Sequence, residues 1–101
     1  NQEDHVSMAT HGARRLGPLC DNLGRLLAIE LLAAAQGIDL RAPLGTSPTL
    51  ASAHALVRGC AAMLVDDRPF TPDIEAVAAH VAQGDFSRML WEEGASAVLA
   101  P

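Results

Sequence analysis

The feature that most constrains this chain is a run from about Gln2 to Leu40 that keeps helical spacing almost throughout. Val6, Ala9, Ala13, Leu16, Cys20, Leu23, Leu27 and Ala34 recur at three- and four-residue steps, the spacing that lines one face of an α-helix. From Leu26 to Ile38 the run is apolar on nearly every side, broken only by Glu30, Gln36 and Gly37, and a helix of that kind is normally surrounded by protein. A helix of nearly forty residues extends about 55 Å, more than the rest of a 101-residue chain can wrap. Part of its apolar length is therefore expected to face other polypeptide, either identical subunits or further parts of its own subunit. Gly17-Pro18 is the weak point, because proline removes a backbone donor and crowds the preceding turn. A kink or a break into two helices is expected there.

The remainder reads as shorter helices. Arg41-Ala42-Pro43 ends the run, and Ser47-Pro48 opens a second helix over about 47–64, with Ser47 as N-cap and Pro48 in the first helical position. Thr71-Pro72 repeats the device for a third helix over 71–83, with Asp73 and Glu75 where the helix dipole favours negative charge. A short helix over 86–91 follows Gly84-Asp85, and the tail from Glu92 is expected to be frayed or extended. Only three aromatic residues are present (Phe70, Phe86 and Trp91), so the apolar surface is aliphatic and suits close helix–helix packing. The predicted fold class is all-α: one long central helix with shorter antiparallel helices, a single segment over residues 1–101 that belongs to a larger helical bundle.

Several function classes fall away. A net charge of −5, with seven scattered cations that are all arginine, offers no basic stripe for a nucleic acid. The longest apolar stretch falls short of the roughly 20 residues that span a bilayer, and no signal peptide is read. An asparagine at position 1 fits an excised or processed segment. Cys20 and Cys60 lack CxxC or His/Cys spacing and read as small buried hydrophobes in a reducing compartment.

The opening Asn1-Gln2-Glu3-Asp4-His5-Val6-Ser7-Met8 reads, on residues alone, as a helix start: Asn1 as a cap, Glu3 and Asp4 as first-turn acids. The same stretch resembles the Gln-Glu-Asp-His-Val-Ser segment of histidine ammonia-lyases. The likeness continues through Asn22 to Arg41, Thr46 to Leu50 and Val57 to Val77, in one unbroken order over about Asn1 to Gly84. His5 is closer to the histidine enzymes than to the tyrosine or phenylalanine branch.

The resemblance implies a cytoplasmic lyase that converts L-histidine to trans-urocanate and ammonia. Such enzymes use a methylidene-imidazolone prosthetic group made from an internal Ala-Ser-Gly triplet. It also implies a homotetramer with active sites shared between subunits, so that the partners of this segment are the remainder of its own subunit, neighbouring identical subunits and a small amino-acid substrate. Within that scheme Glu3 matches the family glutamate that lines the substrate pocket, and Gln2 its polar neighbour. A carboxylate there accepts hydrogen bonds from an imidazole N–H or an ammonium. No Ala-Ser-Gly occurs in the sequence, the nearest lookalikes being Ala51-Ser52-Ala53 and Gly94-Ala95-Ser96, so the electrophile cannot form from this segment and the isolated polypeptide is expected to be inactive. Two alternatives stay open: a tyrosine or phenylalanine ammonia-lyase or an aminomutase of the same superfamily, and a stand-alone helical oligomerisation module.

Other polar residues take plainer readings. His5 and His11, near Glu3 and Asp4, lack the i, i+4 ligand pairing of a metal site, and His54 and His80 have no partners at ligand spacing, so no metal site is assigned. Glu30 is expected either to be buried against a cation on a neighbouring helix, with Arg25 or Arg58 as its partner, or to point along a solvated groove, and a structural pair is preferred to a catalytic role. Arg14-Arg15 reads as a solvated face, and Asp66-Asp67-Arg68 as turn chemistry.

Overall fold

The computed structural model describes residues 6–93, in which four helices and no strand are formed. Helix α1 spans Ala9–Leu40, α2 Pro48–Cys60, α3 Thr71–Gln83 and α4 Asp85–Glu92. The fold is all-α, dominated by one long helix.

Helix α1 begins at Ala9 and not near residue 2: Val6 to Met8 are irregular, while Gln2 to His5 lie outside the described residues. The Ser7 hydroxyl accepts a hydrogen bond from the Ala9 N–H at 3.4 Å, a local side-chain-to-backbone bond that competes with helix. No break occurs at Gly17-Pro18; α1 runs through Pro18 as one element of 32 residues, or about 48 Å. Proline leaves the Arg14 carbonyl without its i+4 donor, and on an exposed stretch water can take that place.

The core gathers at the C-terminal half of α1. Ala28, Leu32 and Ala35, at i, i+4 and i+7, pack with Val57 and Ala61 of the α2 end and with Val77 of α3, and all six are buried. The alanines let the helices approach closely, and Val77 is fully buried between them. The most extensive helix contact is between α1 and α3. They run antiparallel: residues 29–36 of α1 face Asp73 and Ile74, whereas residues 20–27 face Glu75 to Ala82.

Away from this half the helix leaves the core. Every residue from Ala9 to Leu23 is exposed, and Leu16, Leu19, Leu23 and Leu26 are each more than half exposed. The radius of gyration is 18.7 Å, against about 13 Å for a compact domain of this length. The mismatch between a long apolar helix and too little chain to cover it is thus realised in three dimensions.

Helix α2 opens as its sequence predicts: the Ser47 hydroxyl accepts from the Leu50 N–H and Pro48 occupies the first turn. It stops at Cys60, four residues before the expected end, because Ala61 is extended. Side chains take over the backbone beyond: Arg58 donates to the Ala61 carbonyl, Arg68 to that of Ala62, and Gln36 to that of Leu64. In α3 the N-cap position belongs to Phe70, so Thr71 is the first helical residue instead of the cap, with Asp73 in the first turn. Gly84, at φ +74°, ends α3 in the left-handed conformation that glycine adopts without a Cβ penalty, and α4 starts directly after it.

Candidate functional site

The residues singled out for substrate binding, Gln2 and Glu3, lie outside the described residues, as does His5. The chain that follows them is Val6 to Met8, largely exposed, and then the free half of α1. From Ala9 to Ala28, where the core begins, α1 rises about 28 Å. No core residue of the described chain is near the point where that stretch joins α1.

At the other end of α1 the polar side chains converge. Asp39 accepts from His54 Nε2 at 2.7 Å through Oδ1 and from Arg58 Nε at 2.8 Å through Oδ2. His54 and Arg58 stand four apart on α2 and so share a face. Partial burial pushes the Asp39 carboxyl up, but the hydrogen bonds and charges of His54 and Arg58 outweigh it and hold the group below its ordinary value. Gln36, one turn earlier, treats Leu64 as a strand would: its amide donates to the Leu64 carbonyl at 2.9 Å and accepts from the Leu64 N–H at 3.0 Å. Arg58 reaches the same Gln36 oxygen at 3.4 Å.

A second carboxylate knot joins α3 to α4. Asp85 accepts from His80 Nδ1 at 2.6 Å and from Arg88 Nη1 at 2.9 Å. The hydrogen bond from His80 is the main influence lowering the Asp85 carboxyl, burial opposes it, and Arg88 adds to the lowering. Both knots have a carboxylate and a histidine, yet no hydroxyl or thiol bonds to either ring among the described residues, so neither is a nucleophile–base pair. They fasten helices.

The remaining expectations divide. Glu30 is exposed, and neither arginine proposed for it is its partner: Arg25 pairs with Glu75 at 2.8 Å across α1 and α3, and Arg58 is committed to Asp39. Arg68 does more than turn chemistry, because it lies 2.6 Å from Asp73 in α3 and holds the Ala62 carbonyl. Cys60 donates to the Val57 carbonyl at 3.3 Å, and burial, then the charge of Asp73, raises its thiol. Cys20, by contrast, is exposed on the free half of α1. Among the described residues no three His, Cys, Asp or Glu side chains gather as metal ligands, and no helix is long and apolar enough to cross a membrane. Sequence reasoning missed the roles of His54 and His80; the only advance signal was the i, i+4 spacing of His54 and Arg58.

Between α1, the 61–70 segment and α3 lies a cavity of about 320 Å³ walled by Leu32, Ala62, Phe70 and Ile74, with Arg58 and Asp73 in its lining. It is apolar over most of its wall.

Residues 1–59 match the family model described as aromatic amino acid lyase. The chain belongs to the aromatic amino acid lyase family. Among curated relatives, the histidine ammonia-lyase of Aromatoleum aromaticum is 54% identical over 88 residues, 87% of this chain and 17% of that protein. The histidine ammonia-lyase of Desulfotalea psychrophila is 54% identical over 90 residues, 89% of this chain and 18% of that protein. The crystal structure of a tyrosine aminomutase from Streptomyces globisporus superposes with a TM-score of 0.80 at 36% identity, covering 90% of this chain and 18% of that one. The chain thus spans less than a fifth of the length of the proteins it matches.

Proposed function

We propose that the chain is part of a histidine ammonia-lyase, which eliminates ammonia from L-histidine to give trans-urocanate. The supporting observation is the difference in likeness: 54% identity to proteins named histidine ammonia-lyase against 36% to the tyrosine aminomutase, each over nearly nine-tenths of the chain. Glu3 lines the substrate pocket, where its carboxylate accepts a hydrogen bond from the imidazole N–H or the ammonium of the substrate, and Gln2 supports it. Holding the substrate in one orientation lowers the barrier to removing a weakly acidic β-proton.

The methylidene-imidazolone group supplies the electrophile in this reaction. The chain contains no Ala-Ser-Gly and does not supply the group, so it comes from elsewhere in a longer polypeptide. The 101-residue chain alone has no activity under this proposal. The exposed Leu16, Leu19, Leu23 and Leu26 of α1 pack on the remainder of the subunit and on identical subunits in a cytoplasmic tetramer.

The test is the intact mass of the native gene product, with urocanate formation followed on the same sample and tyrosine and phenylalanine offered as competing substrates. A much larger chain that releases urocanate supports the proposal. Turnover of tyrosine or phenylalanine in its place assigns the chain to another branch. A native product of about 10.6 kDa without activity leaves a stand-alone helical module, and urocanate from the pure 101-residue chain overturns the claim that it is inactive alone.

A further inference from the structure

We infer that the cavity between α1, the 61–70 segment and α3 is a socket for an aromatic side chain with a neutral hydrogen-bond donor at its tip. The occupant is a tyrosine- or tryptophan-like group carried by the remainder of the longer lyase polypeptide, so the inference rests on the proposal that such a polypeptide exists. The first observation is Asp73. It is 92% buried, at 8% residual exposure, at the start of α3, and it sits in the cavity wall. Its Oδ2 has no hydrogen-bond donor among the described residues. Arg68 Nη1 stands 2.6 Å from that oxygen but off the axis of its N–H bonds, so it neutralises the charge and leaves the lone pair unused. A buried oxygen in that state is costly unless something donates to it. Because Arg68 already matches the charge, a second cation is unnecessary and a neutral O–H or N–H is the complement.

The second observation is the wall. Leu32, Ile74 and Phe70 make it apolar, and Ile29 and Phe70, 46% and 38% exposed, carry the apolar surface out to the rim. At about 320 Å³ the space falls at the small end of ligand-sized pockets. An apolar body with a single polar tip is the character of tyrosine and tryptophan, whose O–H or N–H finds a partner when buried. This sequence has no tyrosine, and its one tryptophan, Trp91, lies on α4 and does not line the cavity. More than four-fifths of the length of a histidine ammonia-lyase relative lies outside the matched segment and is available to supply the group.

The experiment uses the full-length native product. Ala62→Cys places a thiol in the cavity wall, and Asp66→Cys, on the exposed loop, serves as reference, with labelling followed by peptide mass spectrometry so that Cys20 and Cys60 are read separately. The expected result is labelling of Ala62→Cys about tenfold or more slower than Asp66→Cys in the native protein, since a covered thiol reacts only after local opening, and equal labelling in denaturant. Asp73→Asn, which turns the waiting acceptor towards a donor, speeds the labelling of Ala62→Cys, whereas Arg68→Lys, which keeps the acceptor and its matching charge, does not. Equal native rates at the two cysteines overturn the socket. An effect of Arg68→Lys as large as that of Asp73→Asn overturns the donor chemistry, and release of the thiol by Trp91→Ala assigns the socket to a second copy and overturns the occupant inferred here. Urocanate formation with equal rates leaves the lyase proposal standing and removes only the socket, while a native product of about 10.6 kDa removes both.

Discussion

The two halves of α1 share a leucine periodicity, though the first half carries more polar residues, glycine and a proline, and they meet opposite fates. Around Ala28, Leu32 and Ala35 the helix is buried against Val57, Ala61 and Val77, and its end is pinned by Gln36 and Asp39. From Ala9 to Leu23 the helix, leucines included, lies open to solvent. Periodicity makes both halves helix, but it is silent on which face will find a partner. What separates them is the supply of neighbours: α2 and α3 are 13 residues each, long enough to cover one half of α1 and no more.

The sharpest way to break this comparison is to truncate one leucine in each half. Leu32→Ala, at 6% exposure, removes core volume and costs about 2–5 kcal/mol in chemical denaturation of the 101-residue chain. Leu19→Ala, at 55% exposure, costs less than about 0.5 kcal/mol in the same chain. In the longer lyase polypeptide proposed above, the second figure rises towards the first if other polypeptide covers that face. An equal and small cost of Leu19→Ala in both settings breaks the claim that the open half is an interface.

A smaller effect is expected at Pro18. The proline sits ten residues into α1, where it costs a helix about 3 kcal/mol relative to alanine. Pro18→Ala therefore raises the helix content of the 101-residue chain and slows amide exchange between Ala9 and Cys20, with the core amides near Leu32 unchanged. Part of the gain is lost to fraying of a half that nothing packs against. Slower exchange in the core as well would show that the two halves fold as one cooperative unit, contrary to the comparison.

What could be read in advance follows the same division between local and distant causes. Ser47-Pro48 announced its own helix start because the cap bond to Leu50 is three residues long. Thr71-Pro72 carried the same signature, yet the first turn formed one residue earlier, with Phe70 in the cap position. The end of α2 was not legible, because it depends on Gln36, 28 residues away, holding both backbone groups of Leu64. Glu30 and Arg58 show the same limit: the sequence offers an acid and a base, and the fold gives Arg58 to Asp39. His54 and His80 looked uninformative for that reason too, since each gains its meaning from an aspartate that only the helix packing or the αL turn at Gly84 brings within 2.7 Å. The family, by contrast, was legible in ordered blocks of sequence that need no tertiary information. Gln2 and Glu3 lie outside the described residues, so their candidacy still rests on that likeness alone.

The smallest expected effect concerns acid, and it belongs to the packed side of the molecule. Asp39 and Asp85 are both held below the ordinary carboxylate value of 3.8 by their histidine and arginine partners. The unfolded chain then takes up protons at these positions before the folded chain does as pH falls. Their contribution to stability is complete above the unfolded value, shrinks as pH drops below it, and is gone beneath the depressed folded values. Melting temperature should accordingly decline more steeply below about pH 4 than above it, and Asp39→Asn and Asp85→Asn should each flatten that decline while lowering the melting temperature at neutral pH. The loss should appear as release of α2 from the end of α1, or of α4 from α3, because those are the junctions the two carboxylates hold. The α1–α3 contact depends instead on apolar burial around Val77 and should outlast both. Amide exchange across the acid transition separates the outcomes: early loss in α2 and α4 with α1–α3 intact locates the charge-held part of the fold, and simultaneous loss everywhere means that the apolar core cannot stand without its two carboxylate knots.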